Sequence, residues 1–423
     1  MKKLSDPSNP PIERGIGAVG VGKKGSKSMD AALAMEIVEQ LRSGTVHPVT
    51  RAAFVGALMM KGVSEEEKVL EQAFLPGAFE DMDLLANAVI EKEIPIFVRE
   101  VCVQLLKKET MNVETSKKIG QFLFSEEIGN AARGLMASIL RVRYETEEEY
   151  FGIWQAMQAT LEIPFCTSVL KGAPVLQMAE PFDGVERGFL ITPLLASYFS
   201  QRYRVISLVG DSSGPKFGLT LKDLAVALGG KCIAGNHEIE GENPDFGFFA
   251  DQKDISKALF RWVAIRKRLK KRPFAATLER LVKLCDARIL LTSAFHTPYL
   301  EKMTRLAENV GFTGVIVVNR GMEGTLAFPL TRPIEMLCAA KQKDGTYLRN
   351  HFELAPETLM RWDPLREVML KEPTVSENVH LIQAFHKTGC SGNEPFDRRV
   401  HLTRKGLDVA LEWVEQNIFS ESL

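Results

Sequence analysis

The chain has no apolar run approaching the ~18 residues that would span a bilayer. Its opening, MKKLSDPSNPPIERG, lacks the apolar stretch of a secretory leader. The expectation is a cytoplasmic protein with no membrane partner. Six cysteines (Cys102, Cys166, Cys232, Cys285, Cys338, Cys390) are scattered with no CxxC or other ligand-like spacing. Neither a zinc site nor a disulfide framework is therefore indicated, and the thiols read as small buried hydrophobes. The seven histidines are equally dispersed and make no HxxxH pair. An excess of one charge is missing too, because 53 basic side chains face 54 acidic ones for a net −1. At 45% hydrophobic and 25% charged residues the composition is that of a globular protein and excludes disorder, collagen and coiled coil.

What is present is length and a change of pattern. The 423 residues suit two or three domains, at about 150 residues each. Residues 1–29 are rich in Pro, Gly, Ser and Lys and read as a flexible basic arm, with Lys23, Lys24 and Lys27 able to touch a polyanion. Inside it GIGAVG (Gly15, Gly17, Gly20) matches the dinucleotide-binding GxGxxG pattern. The match is discounted, because that motif needs a preceding strand and SDPSNPPIE is not one.

Residues 30–165 carry apolar side chains at helical spacing throughout, and they contain a repeat. A shift of 82 residues without a gap places Ile37 on Ile119, Leu41 on Leu123, Ser43 on Ser125, Val46 on Ile128, Arg51 on Arg133 and Leu58 on Leu140. The same shift places Glu65, Glu66 and Glu67 on Glu147, Glu148 and Glu149. A shared helical phase explains the apolar matches, but not the arginine or the glutamate triplet. A duplicated helical unit does.

From 166 to 423 short β-rich runs, RVISLVG, ILLTSAF and GVIVVNRG, alternate with helical stretches. That alternation predicts an α/β domain with a mostly parallel sheet, behind an all-helical N-terminal domain. The helices near 253–284 are candidates to pack on the helical domain.

Three loops and one helix carry possible chemistry. DSSGPK follows a strand and precedes a helix, so backbone N–H groups and the helix dipole would favour an anion, with Ser212, Ser213 and Lys216 as further donors. An ordinary βα turn explains the same residues. FDGVERG precedes Thr192-Pro193, a hydroxyl cap followed by a first-turn proline, but Glu186 would put a carboxylate where an anion should sit. VVNRGMEGTLAFP offers Arg320 and Glu323, and one carboxylate is not a metal site. The helix is AIRKRLKKRPF. Winding it from Lys257 puts Lys257, Arg261, Arg268 and Arg272 on one stripe flanked by Lys267 and Lys271. Leu259, Trp262, Val263 and Leu269 fall on the other side, and Arg266 points toward it. Residues 253–288 hold 12 basic and 3 acidic side chains, a local +9 against about −10 for the rest. Such a face is either a solvated surface or a phosphate grip. Trp262 and Phe274 either stack on unpaired bases or pack inside.

With these residues in hand, the chain resembles the anthranilate phosphoribosyltransferase family (glycosyltransferase family 3), closest to its divergent nucleic-acid-binding bacterial homologues. The resemblance rests on SGTVHPVTRAAFVGALMMKGVSEEE and on the order of FDGVERG, LVGDSSGPKFGLTLKDLAVALGG, RKRLKKRPF and VIVVNRGMEG, spanning most of residues 30–335. It implies the nucleoside phosphorylase/phosphoribosyltransferase class of fold, a ligand cleft between the domains, and a homodimer through the N-terminal helices that the second helical copy could cover. It also shows departures. Gly184-Val185-Glu186-Arg187-Gly188 stands where working members carry Gly-Thr-Gly-Gly-Asp, and Leu208-Val209-Gly210-Asp211 stands for Lys-His-Gly-Asn. Leu326 and Ala327 fall on the Asp-Glu magnesium pair, while Arg266, at the aromatic-acid arginine, Arg272 and Lys216 still match. The resemblance thus implies a protein with no catalytic residues, metal or cofactor. It would bind nucleic acid, single strands above all, through a basic cleft of Lys257, Arg261, Arg266, Lys267, Arg268, Lys270, Lys271 and Arg272. The alternative is a transferase of altered substrate, using magnesium with phosphoribosyl pyrophosphate held by Ser212, Ser213 and Lys216.

Overall fold

Short polar residues ahead of helical runs set many of the helix starts among the described residues. Asp30, Asn112, Thr146, Thr220, Thr374 and Asn393 each accept a backbone N–H of the helix they open. The computed structural model describes residues 4–22, 25–166, 173–360 and 372–419. In chain order the elements begin with α1 (Pro11–Val19), α2 (Ala31–Arg42), α3 (Pro48–Lys61), α4 (Met82–Val89), α5 (Ile96–Leu106), α6 (Val113–Leu123), α7 (Asn130–Arg143) and α8 (Glu147–Gln158). They continue through β1 (Val175–Ala179), α9 (Thr192–Phe199), β2 (Arg204–Val209), α10 (Leu221–Ala227), β3 (Lys231–Cys232), β4 (Phe248–Asp251), α11 (Gln252–Ile255), α12 (Lys257–Leu269) and α13 (Ala275–Leu278). The last are β5 (Ile289–Ala294), α14 (Pro298–Val310), β6 (Gly314–Asn319), β7 (Ile334–Lys341), β8 (Tyr347–Leu354), α15 (Pro356–Met360), α16 (Val375–Thr388) and α17 (Glu394–Asn417). These form two compact units, 1–160 with 213–215 and 258–278, and 161–212 with 216–257 and 279–423.

In the helical unit the 82-residue correspondence recurs in the hydrogen bonds. Asp30 caps α2 by accepting from Leu33, and Asn112 caps α6 by accepting from Thr115. The Ser43 hydroxyl donates to the Gln40 carbonyl, as Ser125 does to Phe122. Helices α3 and α7, equivalent in the two copies, pack on each other through small residues. A Cβ at Gly56 would lie 2.9 Å from the Leu135 carbonyl oxygen, and one at Gly134 would lie 2.8 Å from that of Val49. Ser138, the counterpart of Gly56, instead donates to the Ala53 carbonyl at 2.5 Å. The copies diverge at the arginines. Arg51 donates only weakly to Val89, whereas buried Arg133 donates to the carbonyls of Phe122, Leu123, Ser125 and Glu127.

The reading of residues 1–29 as a flexible arm is corrected. Ile12, Ile16 and Val19 sit at i, i+4 and i+7 on α1 and are buried against the unit. Helical Gly15 has no room for a side chain, since a Cβ would approach Ile37 and Phe54 within 3 Å. The glycines of GIGAVG are thus packing residues. Lys23 and Lys24 lie outside the described residues. The reading of all six thiols as buried is corrected as well, because Cys166, Cys232 and Cys390 are exposed.

The second unit is α/β around an eight-stranded sheet of order β3-β4-β2-β1-β5-β6-β7-β8. β1 to β6 pair in parallel, and β7 and β8 complete one edge antiparallel. The expected strands RVISLVG, ILLTSAF and GVIVVNRG form β2, β5 and β6, and every residue of β5 and β6 is buried, as continuous apolar runs require. Chain direction across the sheet reverses at β1, which pairs β2 on one side and β5 on the other. Among the described residues no helix is long and apolar enough to cross a membrane.

Candidate functional site

In an open parallel sheet the ligand-facing loops leave the carboxyl ends of strands at the point of reversal. The loops after β1 and β2, which contain FDGVERG and DSSGPK, leave there, and the loop after β6, with the Arg320–Glu323 segment, leaves the same ends of the strands one strand beyond β5.

The first two are stitched together. Val185 and Leu219 exchange backbone hydrogen bonds at 2.9 Å, and Gly218 donates to the Asp183 carbonyl. Glycine is required at both crossing points. Gly184 has φ +75 with the Leu219 carbonyl oxygen 2.4 Å from an added Cβ, and a Cβ at Gly218 would meet the Val185 oxygen at 2.2 Å. The stitch fixes the next two amides, and both point at one side chain. The Glu323 carboxylate accepts from Glu186 N at 3.0 Å and from Arg187 N at 2.7 Å, and it pairs with Lys216 Nζ at 3.0 Å. Lys216 also donates to the Glu323 backbone carbonyl. Glu323 makes this reach from a left-handed backbone, φ 51 and ψ 20, which costs a non-glycine residue about 1–2 kcal/mol.

Other groups of these loops are engaged as well. Asp211 and Asp251 flank Lys222 at 2.5 and 2.7 Å, with desolvation opposing and the two carboxylates outweighing it to raise the lysine's pKa. Buried Glu180, just beyond β1, accepts from the Thr192 hydroxyl and the Leu326 amide through one oxygen while its Oε2 has no partner among the described residues, and burial pushes its pKa up. Thr192 therefore braces Glu180 and does not cap α9, a correction to the helix start read from sequence. Ser212 and Ser213 keep buried hydroxyls without a hydrogen-bond partner among the described residues. Of the three phosphate candidates, only Lys216 reaches the amides of the first loop, through Glu323.

The two positions that fall on the magnesium pair do not fit that ion. Leu326 and Ala327 are buried in the apolar core and offer no oxygen ligand. Among the described residues no group of three His, Cys, Asp or Glu could hold a metal ion.

The basic segment divides by environment. Leu259, Trp262, Val263 and Leu269 are buried, and so is Arg266 at 3% exposure. Lys257 lies 3.8 Å from Glu162, Arg261 pairs with Glu126 at 2.9 Å, and Lys270 pairs with Glu13 at 3.0 Å. Lys271 donates to Ser138 Oγ at 2.5 Å, and burial, aided by the Arg141 charge, drops its ammonium to about 7. Arg272 is half-buried. Lys267 and Arg268 alone of the eight are exposed with no carboxylate at ion-pair distance among the described residues. The uniform basic face read from sequence is thus corrected, because Lys271 is engaged by Ser138 and three cations are shared with carboxylates, while Arg266 is buried as its helical phase predicts. Nearby His47 feels burial and the Arg268 charge, both lowering its pKa. Of the two readings open for Trp262 and Phe274, packing inside is the one the structure shows. Both rings are buried, 5.0 Å apart, and Trp262 Nε1 donates to the Leu123 carbonyl.

Sequence reading missed Glu323 as a partner of the first loop. Its signal was faint: a Gly-rich turn with one carboxylate at a strand end.

No family model matches the chain. Among curated proteins it is similar to an uncharacterised protein of Aquifex aeolicus (strain VF5), 21% identical over 223 residues. The match takes in 51% of this chain and 64% of that relative's length. Among solved structures it is similar to the anthranilate phosphoribosyltransferase (TrpD) of Thermus thermophilus, with TM-score 0.50 and 15% identity over 75% of this chain and 97% of that one. It is also similar to the Saccharomyces cerevisiae anthranilate phosphoribosyltransferase in complex with PRPP and Mg, with TM-score 0.53 and 13% identity over 76% and 94% of the two chains. The chain has the fold of these enzymes.

Proposed function

We propose that this phosphoribosyltransferase-like protein does not transfer phosphoribosyl groups and binds nucleic acid, without reading bases, through the exposed end of α12. The observation that carries this reading is the pair Lys267 and Arg268, exposed side by side with no carboxylate at ion-pair distance among the described residues. Arg261 extends the surface, because its partner Glu126 is 84% exposed and such a pair is worth at most about 1 kcal/mol. A polyanion displaces it cheaply. Against transfer stand the apolar Leu326 and Ala327 and the carboxylate on the amides of residues 186 and 187. With Trp262 and Phe274 buried, neither ring favours unpaired bases, so single and double strands bind chiefly by charge.

The test is fluorescence anisotropy with labelled single- and double-stranded oligonucleotides across a salt series. Binding that falls linearly on log–log axes supports the proposal. No association at about 50 mM salt ends it, and turnover of PRPP with an aromatic acid would replace it with the transferase reading.

A further inference from the structure

We propose that Lys271 is a nucleophilic amine that condenses with a small aldehyde bearing an anionic group, at a site formed by the segment just beyond α12, Ser138 of α7 and Gly20 at the end of α1.

The surroundings of this amine differ from those of an ordinary lysine. Lys271 is half-buried and donates to Ser138 Oγ at 2.5 Å. Ser138 gives its own proton to the Ala53 carbonyl, so the hydroxyl accepts from the amine and supplies no counter-charge. Among the described residues no carboxylate lies at ion-pair distance from Lys271, and Glu13 of α1 pairs with the adjacent Lys270 instead. The charge that Lys271 does feel is that of Arg141, three residues along α7 from Ser138, and it is of like sign. A lysine desolvated beside another cation, with no anion to hold its proton, is the arrangement that activates an amine as a nucleophile. Burial and Arg141 together bring its ammonium to about 7, so a large share of the amine carries a free lone pair at neutral pH.

Packing and charge together set the class of partner. Gly20 follows α1, and a Cβ there would lie 2.9 Å from Lys271 Nζ, so any side chain at this position would crowd the nitrogen. With the residue half-buried, solvent meets the amine through motion of its flexible four-carbon stem, and the close walls admit only a compact molecule. Residues 253–288 hold 12 basic and 3 acidic side chains, so the local field draws an anionic aldehyde in preference to a neutral one.

The condensation balances without a further reagent. The Nζ lone pair attacks the carbonyl carbon, the C–O π pair moves to oxygen, and that oxygen takes a proton to give a carbinolamine. Loss of hydroxide from carbon and of a proton from nitrogen, together one water, leaves the C=N imine. Ser138 accepts an N–H of the amine, which leaves the lone pair directed away from the hydroxyl.

The experiment is reductive labelling of the full chain with glyoxylate and cyanoborohydride, which reduces imines, followed by peptide mass spectrometry across a pH series. At neutral pH Lys271 is expected to be labelled about tenfold or more faster than exposed Lys267. Its rate should level off above about 7, while that of Lys267 climbs toward about 10.4. Acetaldehyde, compact but neutral, should label Lys271 more slowly than glyoxylate does. Arg141→Gln should raise the inflection of Lys271, because the like charge is gone. Labelling of Lys271 no faster than that of Lys267, or an inflection as high as that of Lys267, overturns the nucleophile. Equal rates for the two aldehydes overturn the anionic class. The decisive comparison is made within the wild-type chain, so it does not depend on a variant folding. No nucleic acid is present, and the outcome is separate from whether α12 binds one.

Discussion

Glu67 and Glu149, 82 residues apart in sequence, hold matching sets of three hydrogen bonds in the two halves of the helical unit. Glu67 accepts from the Met29 and Ser64 amides and from Lys61. Glu149 accepts from the Met111 and Thr146 amides and from Arg143. All six donors are related by the same shift, and neither carboxylate is exposed. Each ties the end of one helix to the chain segment before another.

Breaking such a buried node strands the remaining charge and two amides. Glu149→Ala is expected to lose about 3–5 kcal/mol of stability, read from the urea midpoint. Replacing Arg143 by Met and Glu149 by Leu together should recover part of that loss. A loss under about 1 kcal/mol for Glu149→Ala would deny the node its structural role.

The Glu67 node has a pH signature. Burial alone would raise its carboxyl, but Lys61 and the Ser64 and Met29 amides outweigh burial and hold it below the ordinary value. A folded pKa below the unfolded one gives stability that is present above the unfolded value and disappears as pH falls through the folded one. Acid unfolding of Glu67→Gln should therefore show a shallower loss of stability below about pH 4 than wild type.

Lys271 acts in the opposite range. Its ammonium titrates at about 7 when folded, against roughly 10.4 in the unfolded chain. Between those values the unfolded chain binds the proton and the folded chain does not, so stability rises with pH. Lys271→Met should flatten the difference in melting temperature between about pH 7 and about pH 9, and an unchanged slope would mean the amine is solvated.

The division of the basic segment makes a further distinction. Lys267→Ala and Arg268→Ala should each lower the salt slope of oligonucleotide binding by about 0.7–0.9 and weaken all sequences alike. Lys271→Met should leave slope and affinity as they are, since that amine faces Ser138. A larger effect at Lys271 than at Arg268 would put the contact surface elsewhere.

How much of this was legible depended on range. The strands and most helices follow from neighbours two to four residues apart, so periodicity revealed them, including the buried side of α12 and inward Arg266. Charge counting over residues 253–288 saw a cluster because its members are adjacent. It did not see Glu13 and Glu126, which neutralise Lys270 and Arg261 from far upstream. Glu323 reaches Glu186 across 137 residues, and no local pattern encodes that meeting. Helix α1 was missed for another reason. Its Pro and Gly content masked Ile12, Ile16 and Val19, whose spacing carried the signal.

Trp262 separates the buried reading of α12 from a stacking one. Its indole is 1% exposed, lies against Phe274 and Phe124, and donates to the Leu123 carbonyl at 3.1 Å. That carbonyl also accepts from Arg133, so losing the indole N–H leaves it satisfied. Trp262→Phe should then cost only the packing lost with the smaller ring, about 1–3 kcal/mol by urea unfolding, whereas Trp262→Ala should cost about 3–5 kcal/mol. If the ring packs inside, oligonucleotide affinity of the folded Phe variant matches wild type. If instead affinity drops while stability holds, the ring meets bases, and the proposed nucleic-acid surface includes the face of α12 that the structure buries.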